Sequence, residues 1–177
     1  MKKLWSVLAV GLGCALYAGN LNIDGQFKKL KADGLPLYWI CQKSGGGQFA
    51  LTDSPEGKGI EIAASSGRDA GFYTVSAFPA AEGKKLSVSA MVKGNCKCSV
   101  TLYLYGPDKA WICNLPVAEA EAKDGFQKIA GEIEVPTSYP VQQKGEIVDK
   151  PVGTFRIALR VAAGGKAVFT DVKAELK

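Results

Sequence analysis

Leu86-Ser87-Val88-Ser89-Ala90-Met91-Val92-Lys93 puts Leu86, Val88, Ala90 and Val92 on one side of an extended chain and Ser87, Ser89, Met91 and Lys93 on the other. Successive side chains of a strand point to opposite faces, so this stretch reads as a half-buried β-strand. The same period of two recurs at Val100, Leu102 and Leu104 against Thr101, Tyr103 and Tyr105. It recurs again at Phe155, Ile157, Leu159 and Val161 against Arg156, Ala158, Arg160 and Ala162. Further strands are expected at 37–42, 48–52, 59–64, 71–78, 110–115, 127–135 and 167–176. Turn-forming clusters separate them, among them Ser54-Pro55-Glu56-Gly57, Gly106-Pro107-Asp108 and Gly164-Gly165. Short strands so punctuated suit an all-β sandwich or barrel. Only 27–33 and 118–124 offer short helical stretches, and 137–152, with two prolines and mixed charge, reads as a long edge-crossing loop.

Outward from these strands, the N-terminus has the form of a signal peptide: Lys2 and Lys3, then the uncharged apolar run Leu4 to Ala18. That run is shorter than the roughly 20 residues a membrane-crossing helix needs, and none like it follows. Cleavage after Ala18 or Ala15, or lipid attachment at Cys14, are the alternatives. Residues 1–18 are thus read as a leader and 19–177 as one domain, exported to the periplasm, the cell surface or the medium. Without Lys2 and Lys3, 20 basic residues face 17 acidic ones. The basic residues are scattered and carry no interleaved aromatic track, so nucleic acid is not an expected partner.

Cys41, Cys96, Cys98 and Cys113 follow the leader, and an even count in an exported chain permits two disulfides in any of three connectivities. Cys96-Lys97-Cys98 without a second pair is a weak zinc signal, and no metal site is expected. The chain has no histidine, which removes Ser-His-Asp triads, Cys-His dyads and imidazole metal sites. Carboxylates remain at Asp53, Glu61, Asp69, Asp108, Asp149 and Asp171, but their spacing singles out no pair. The chain is therefore read as no enzyme.

Several motifs, in order along the chain, resemble the jelly-roll carbohydrate-binding modules of the family 4, 9 and 22 type within the galactose-binding-like sandwiches. Asp24-Gly25-Gln26-Phe27-Lys28 and Pro36-Leu37-Tyr38-Trp39 stand where those modules carry Asn-Gly-x-Phe-Glu and Pro-x-x-Trp. Ser89-Ala90-Met91-Val92-Lys93-Gly94 is similar to their Ser-Ala-x-Val-Lys-Gly strand, and 168–176 to their closing strand. The resemblance implies an antiparallel two-sheet jelly roll that binds a polysaccharide or glycan, with Trp39 packed in the core. It also implies a structural calcium ion between the opening Glu and a closing-strand Asp. Here that Glu is Lys28, a poor neighbour for a metal that wants oxygen ligands. Asp24, Asp171 and the Gln26 carbonyl are what remains, and no cofactor is expected.

Pyranose rings stack on aromatic faces and hydrogen-bond through their hydroxyls. The non-core parity supplies Tyr103, Tyr105, Arg156 and Arg160, with Trp111 at the margin, as the ligand-binding set, and small Ser87 and Ser89 beside them as room for a ligand. The competing readings are cross-strand pairing for the tyrosines and bridges from the arginines to Glu132 and Glu134. The expected function is weak, non-catalytic glycan binding on one sheet face. The alternative is a structural or protein-interaction jelly roll of the cell envelope without a sugar ligand, its partner another envelope protein.

Overall fold

Alternation becomes register in the computed structural model, which describes residues 19–42, 44 and 46–177. The leader reading, with Cys14, lies outside the described residues. The strands are β1 (Gly19–Asn20), β2 (Trp39–Cys41), β3 (Gln48–Ser54), β4 (Gly57–Ala63), β5 (Ala70–Thr74), β6 (Phe78–Pro79), β7 (Lys85–Gly94), β8 (Lys97–Tyr105), β9 (Trp111–Glu121), β10 (Gln127–Glu134), β11 (Ser138–Gln143), β12 (Glu146–Pro151), β13 (Thr154–Val161) and β14 (Lys166–Leu176). Twelve of them form two antiparallel sheets, and β11 and β12 pair only with each other. The first runs β10-β7-β14-β4-β3 with β1 on β14, and the second runs β2-β5-β13-β8-β9 with β6 on β13.

The inner faces are those the alternation marks. Leu86, Val88, Ala90 and Val92 of the first sheet meet Val100, Leu102, Leu104, Phe155, Ile157, Leu159 and Val161 of the second, every one buried. This is a jelly-roll sandwich whose core is the apolar parity of both sheets. One edge is closed by aromatic rings. Trp39 stacks on Phe72 with centroids 5.5 Å apart, and Phe27 meets Trp39 edge-on at 5.6 Å. Trp39 has no exposed surface, and its indole N–H donates to the Ile23 carbonyl at 2.8 Å, so it packs as the resemblance implied.

Three expectations are corrected. Residues 137–152 are no loop but the hairpin β11–β12, closed by Lys144-Gly145 with φ of 52° and 91°. Two positive φ values make the tight turn whose twist suits a hairpin. Pro140 and Pro151 fit because a two-stranded ribbon leaves half its N–H groups unpaired. The stretch 118–124 is not helical. Ala118, Glu119, Ala120 and Glu121 continue β9 opposite Val100, Ser99, Cys98 and Lys97, so sheet pairing overrides helix propensity. Residues 27–33 form turns rather than a helix.

The expected disulfides are also absent: Cys41, Cys96, Cys98 and Cys113 are free thiols. Cys41 on β2 and Cys113 on β9 stand at opposite edges of the second sheet. Four strand spacings, about 19 Å, separate them, far beyond a disulfide's reach. Cys96 Sγ turns to the Lys166 carbonyl and Cys98 Sγ to the Ala120 carbonyl. Burial pushes the Cys98 thiol up to about 12, which keeps it protonated.

Candidate functional site

The outer face of the second sheet is ordered by strand register. Tyr105 on β8 stands beside Trp111 on β9 and Thr154 on β13, and Tyr103 beside Asn114 and Arg156. Thr101 stands beside Pro116 and Ala158, and Ala158 beside Tyr73 of β5. Arg160 is flanked by Ser99 and Gly71. Trp111 owes its place to a β-bulge. Leu104 faces Cys113 while Tyr105 faces Trp111, so Ile112 is the extra residue. In regular pairing Trp111, two residues from Cys113, would share its inner face; the bulge turns the indole outward beside Tyr105.

Tyr103 is the floor. Its ring lies across the sheet toward β5, and its hydroxyl donates to Gln42 Oε1 at 2.7 Å. The space exists because residue 71 is glycine: a Cβ there would collide with Tyr103 Oη and Gln42 Oε1. Only 4% of Tyr103 is exposed. Tyr73 leans against it with centroids 5.5 Å apart. Above this floor is a cleft of about 480 Å³ lined by Gln42, Ser44, Tyr73, Tyr103, Tyr105, Trp111 and Asn114. A polar recess of about 300 Å³ adjoins it at Asn114 and spans Ser99, Thr101, Glu119, Arg160 and Asp69.

The two arginines differ. Arg160 is mostly covered and ion-paired with Asp69 at 2.8 Å, its guanidinium 5.9 Å from the Tyr103 ring centre. The Arg156 guanidinium lies 5.6 Å from the Tyr73 ring centre and 5.7 Å from that of Tyr105, and it donates one hydrogen bond, at 3.2 Å, to the Thr74 carbonyl. Trp111 is 59% exposed and its indole N–H donates to Asn114 Oδ1 at 3.2 Å. Among the described residues the Tyr73 and Tyr105 hydroxyls and the Asn114 amide N–H groups have no protein partner. Aromatic planes with unengaged donors between them can stack a sugar ring and bond its hydroxyls.

Tyr103, Tyr105, Trp111, Arg156 and Arg160 thus share one sheet face. Ser87 and Ser89 do not join them, because β7 belongs to the first sheet and its outer face lies on the opposite side of the sandwich. The bridges from Arg156 and Arg160 to Glu132 and Glu134 are likewise absent; Glu132 accepts from Ser87 and lies near Lys85 and Lys177. Tyr73, Gln42 and Asn114 escaped the sequence reading, which weighed Asp69 only among carboxylates that form no pair. Tyr73 was within its reach, since Phe72 must face the core and Tyr73 therefore the outside.

Two of the residues left for a structural calcium have other partners. Asp24 already accepts the backbone N–H groups of Lys28 and Lys29, and Asp171 holds the Lys173 ammonium at 2.7 Å. Among the described residues no three His, Cys, Asp or Glu side chains gather as a metal site.

Burial pushes the Tyr103 phenol up to about 12, only partly offset by Arg160, and raises that of Tyr105. Both are neutral donors at physiological pH. An unfolded tyrosine ionises near pH 10, so the unfolded chain loses this proton first. Stability is then fully present below pH 10 and falls as pH rises toward 12, by roughly 2 to 3 kcal/mol from Tyr103. Urea unfolding of Tyr103→Phe should show a shallower loss over that window than the parent. Identical slopes would show that Tyr103 ionises as freely folded as unfolded.

No protein-family model and no curated protein matches the sequence. Solved structures match the fold. The CBM22-1 xylan-binding domain of Paenibacillus barcinonensis Xyn10C superposes with a TM-score of 0.59 at 12% identity, over 92% of this chain and 97% of that one. The family 11 carbohydrate-binding module of Clostridium thermocellum Lic26A-Cel5E gives 0.55 at 12% identity, over 90% and 95%. The fold is the jelly roll of the carbohydrate-binding modules. The enzymatically active domain of bacteriophage CBA120 tailspike protein 4 contains it too, with a TM-score of 0.62 at 12% identity; 90% of this jelly roll is matched but only 21% of the tailspike chain.

Proposed function

We propose that this jelly roll is an exported, non-catalytic domain that holds a glycan weakly in the cleft of the second sheet. The observation that carries the reading is the cleft itself: Tyr73, Tyr105 and Trp111 standing around the Tyr103 floor with unengaged hydroxyl and amide donors between them. The xylan-binding domain that shares the fold supports the ligand class, and the leader-like residues 1–18 support export. A glycosidase needs two carboxyl groups across the scissile bond. The cleft is lined by none, and the two in the adjoining recess are ion-paired, Asp69 with Arg160 and Glu119 with Lys97. Two or three stacked rings with hydrogen bonds exchanged against water supply several kcal/mol, which places Kd between micromolar and millimolar.

The test is a panel of immobilised polysaccharides followed by calorimetry, with reducing ends assayed in parallel. The expected result is saturable binding without release of sugar. Among the described residues no helix is long and apolar enough to cross a membrane. The competing reading, a protein-interaction domain of the envelope, is favoured by Ile147, 79% exposed, beside Val148 on the β11–β12 hairpin. Failure of every glycan at millimolar concentration, with loss of a captured envelope protein on Ile147→Asp, would decide for it.

A further inference from the structure

We propose that the glycan held in this cleft is anionic, with a ring carboxylate or sulfate meeting Arg156; the inference rests on the glycan-binding reading and narrows it. The argument is one of charge. Among the described residues the two other cations on the outward parity of β8 and β13 are ion-paired, Arg160 with Asp69 at 2.8 Å and Lys97 with Glu119 at 3.2 Å. Arg156 has no carboxylate partner among the described residues, and the remaining ones, 1–18, Lys43 and Gly45, contain no Asp or Glu. The protein therefore holds an uncompensated guanidinium at the rim of an aromatic cleft.

Its setting suits an anion. Tyr73 and Tyr105, the rings that flank the guanidinium, are also walls of the cleft, so the charge and the stacking surfaces share side chains. Ring quadrupoles hold the cation without neutralising it. Of the five N–H donors of a guanidinium, one is used, on the Thr74 carbonyl. The fork that remains matches a carboxylate or sulfate through paired, charge-assisted hydrogen bonds, which a neutral hydroxyl cannot supply. A partly covered, ring-flanked position also strengthens the attraction relative to open water.

Calorimetry on the full chain with four probes tests this: oligogalacturonate for carboxylate, a heparin-type oligosaccharide for sulfate, and xylohexaose and cellohexaose as neutral controls. At least one anionic probe should bind about tenfold or more tighter than both neutral ones at low salt, and the advantage should shrink as about 0.5 M salt shortens the Debye length. Which anionic probe gains identifies the group. Arg156→Gln should erase the advantage, weakening the anionic probes about tenfold more than the neutral ones, while Arg156→Lys should keep part of it, as a point charge without the fork. Circular dichroism melting confirms that the variants fold. Neutral probes binding as tightly as anionic ones, or Arg156→Gln weakening all four alike, would overturn the anionic assignment and leave glycan binding intact. Silence from all four probes and from the wider polysaccharide panel would overturn both readings together.

Discussion

Trp39→Ala is expected to lower the unfolding free energy by about 3 to 5 kcal/mol, a large share of the roughly 5 to 15 kcal/mol that a domain possesses. The indole is the largest fully buried side chain among the described residues, stacked on Phe72 with an interplanar angle of 6° and met edge-on by Phe27. Its removal leaves a cavity between β2, β5 and the opening loop that those rings cannot close without losing their own contacts. It also leaves the Ile23 carbonyl without its donor. Trp39→Phe separates the two effects: much of the volume returns but the hydrogen bond does not, so a residual loss of about 1 to 3 kcal/mol is expected. Urea unfolding followed by far-ultraviolet circular dichroism measures both. A loss below about 1 kcal/mol for Trp39→Ala would show that this edge contributes little to the sandwich.

The contrast between Trp39 and Trp111 shows what the sequence discloses and what it withholds. Both open a Trp-Ile-Cys triplet, yet one indole is fully buried and the other 59% exposed. The difference is the bulge at Ile112, a property of how β9 pairs with β8 that no local pattern announces. Alternation did disclose the strands β7, β8 and β13 and their inner parity, because burial of one face is what selects alternating residues. It says in or out but not which sheet, and so Ser87 and Ser89 were grouped with tyrosines that lie across the sandwich. Gln42 escaped because it follows the end of β2 and meets Tyr103 Oη from 61 positions away in the chain. The hairpin β11–β12 was hidden by its prolines, which exclude a central strand but not an isolated ribbon.

Trp111→Ala combined with Tyr105→Ala is expected to weaken glycan binding by about 30- to 1000-fold, beyond calorimetric detection if the parent complex is already near millimolar. Each ring face covered by a pyranose removes on the order of 100 Å² of apolar surface from water, worth roughly 2 kcal/mol. Two rings together set the loss at about 2 to 4 kcal/mol after allowing for incomplete contact. Stability should suffer less, because Trp111 is mostly exposed and Tyr105 only half-buried, its hydroxyl unpaired among the described residues. Tyr103 should respond in the opposite sense. Its ring is covered and its hydroxyl committed to Gln42, so Tyr103→Phe should cost folding stability while changing affinity only about twofold to threefold. The measurement is affinity electrophoresis in gels containing the best polysaccharide of the panel, paired with thermal melts of each variant. Retention of the double variant at parent strength would move the glycan off this cleft, and a fully bound double variant with an unbound Tyr103→Phe would mean that the floor, not the walls, makes the contact.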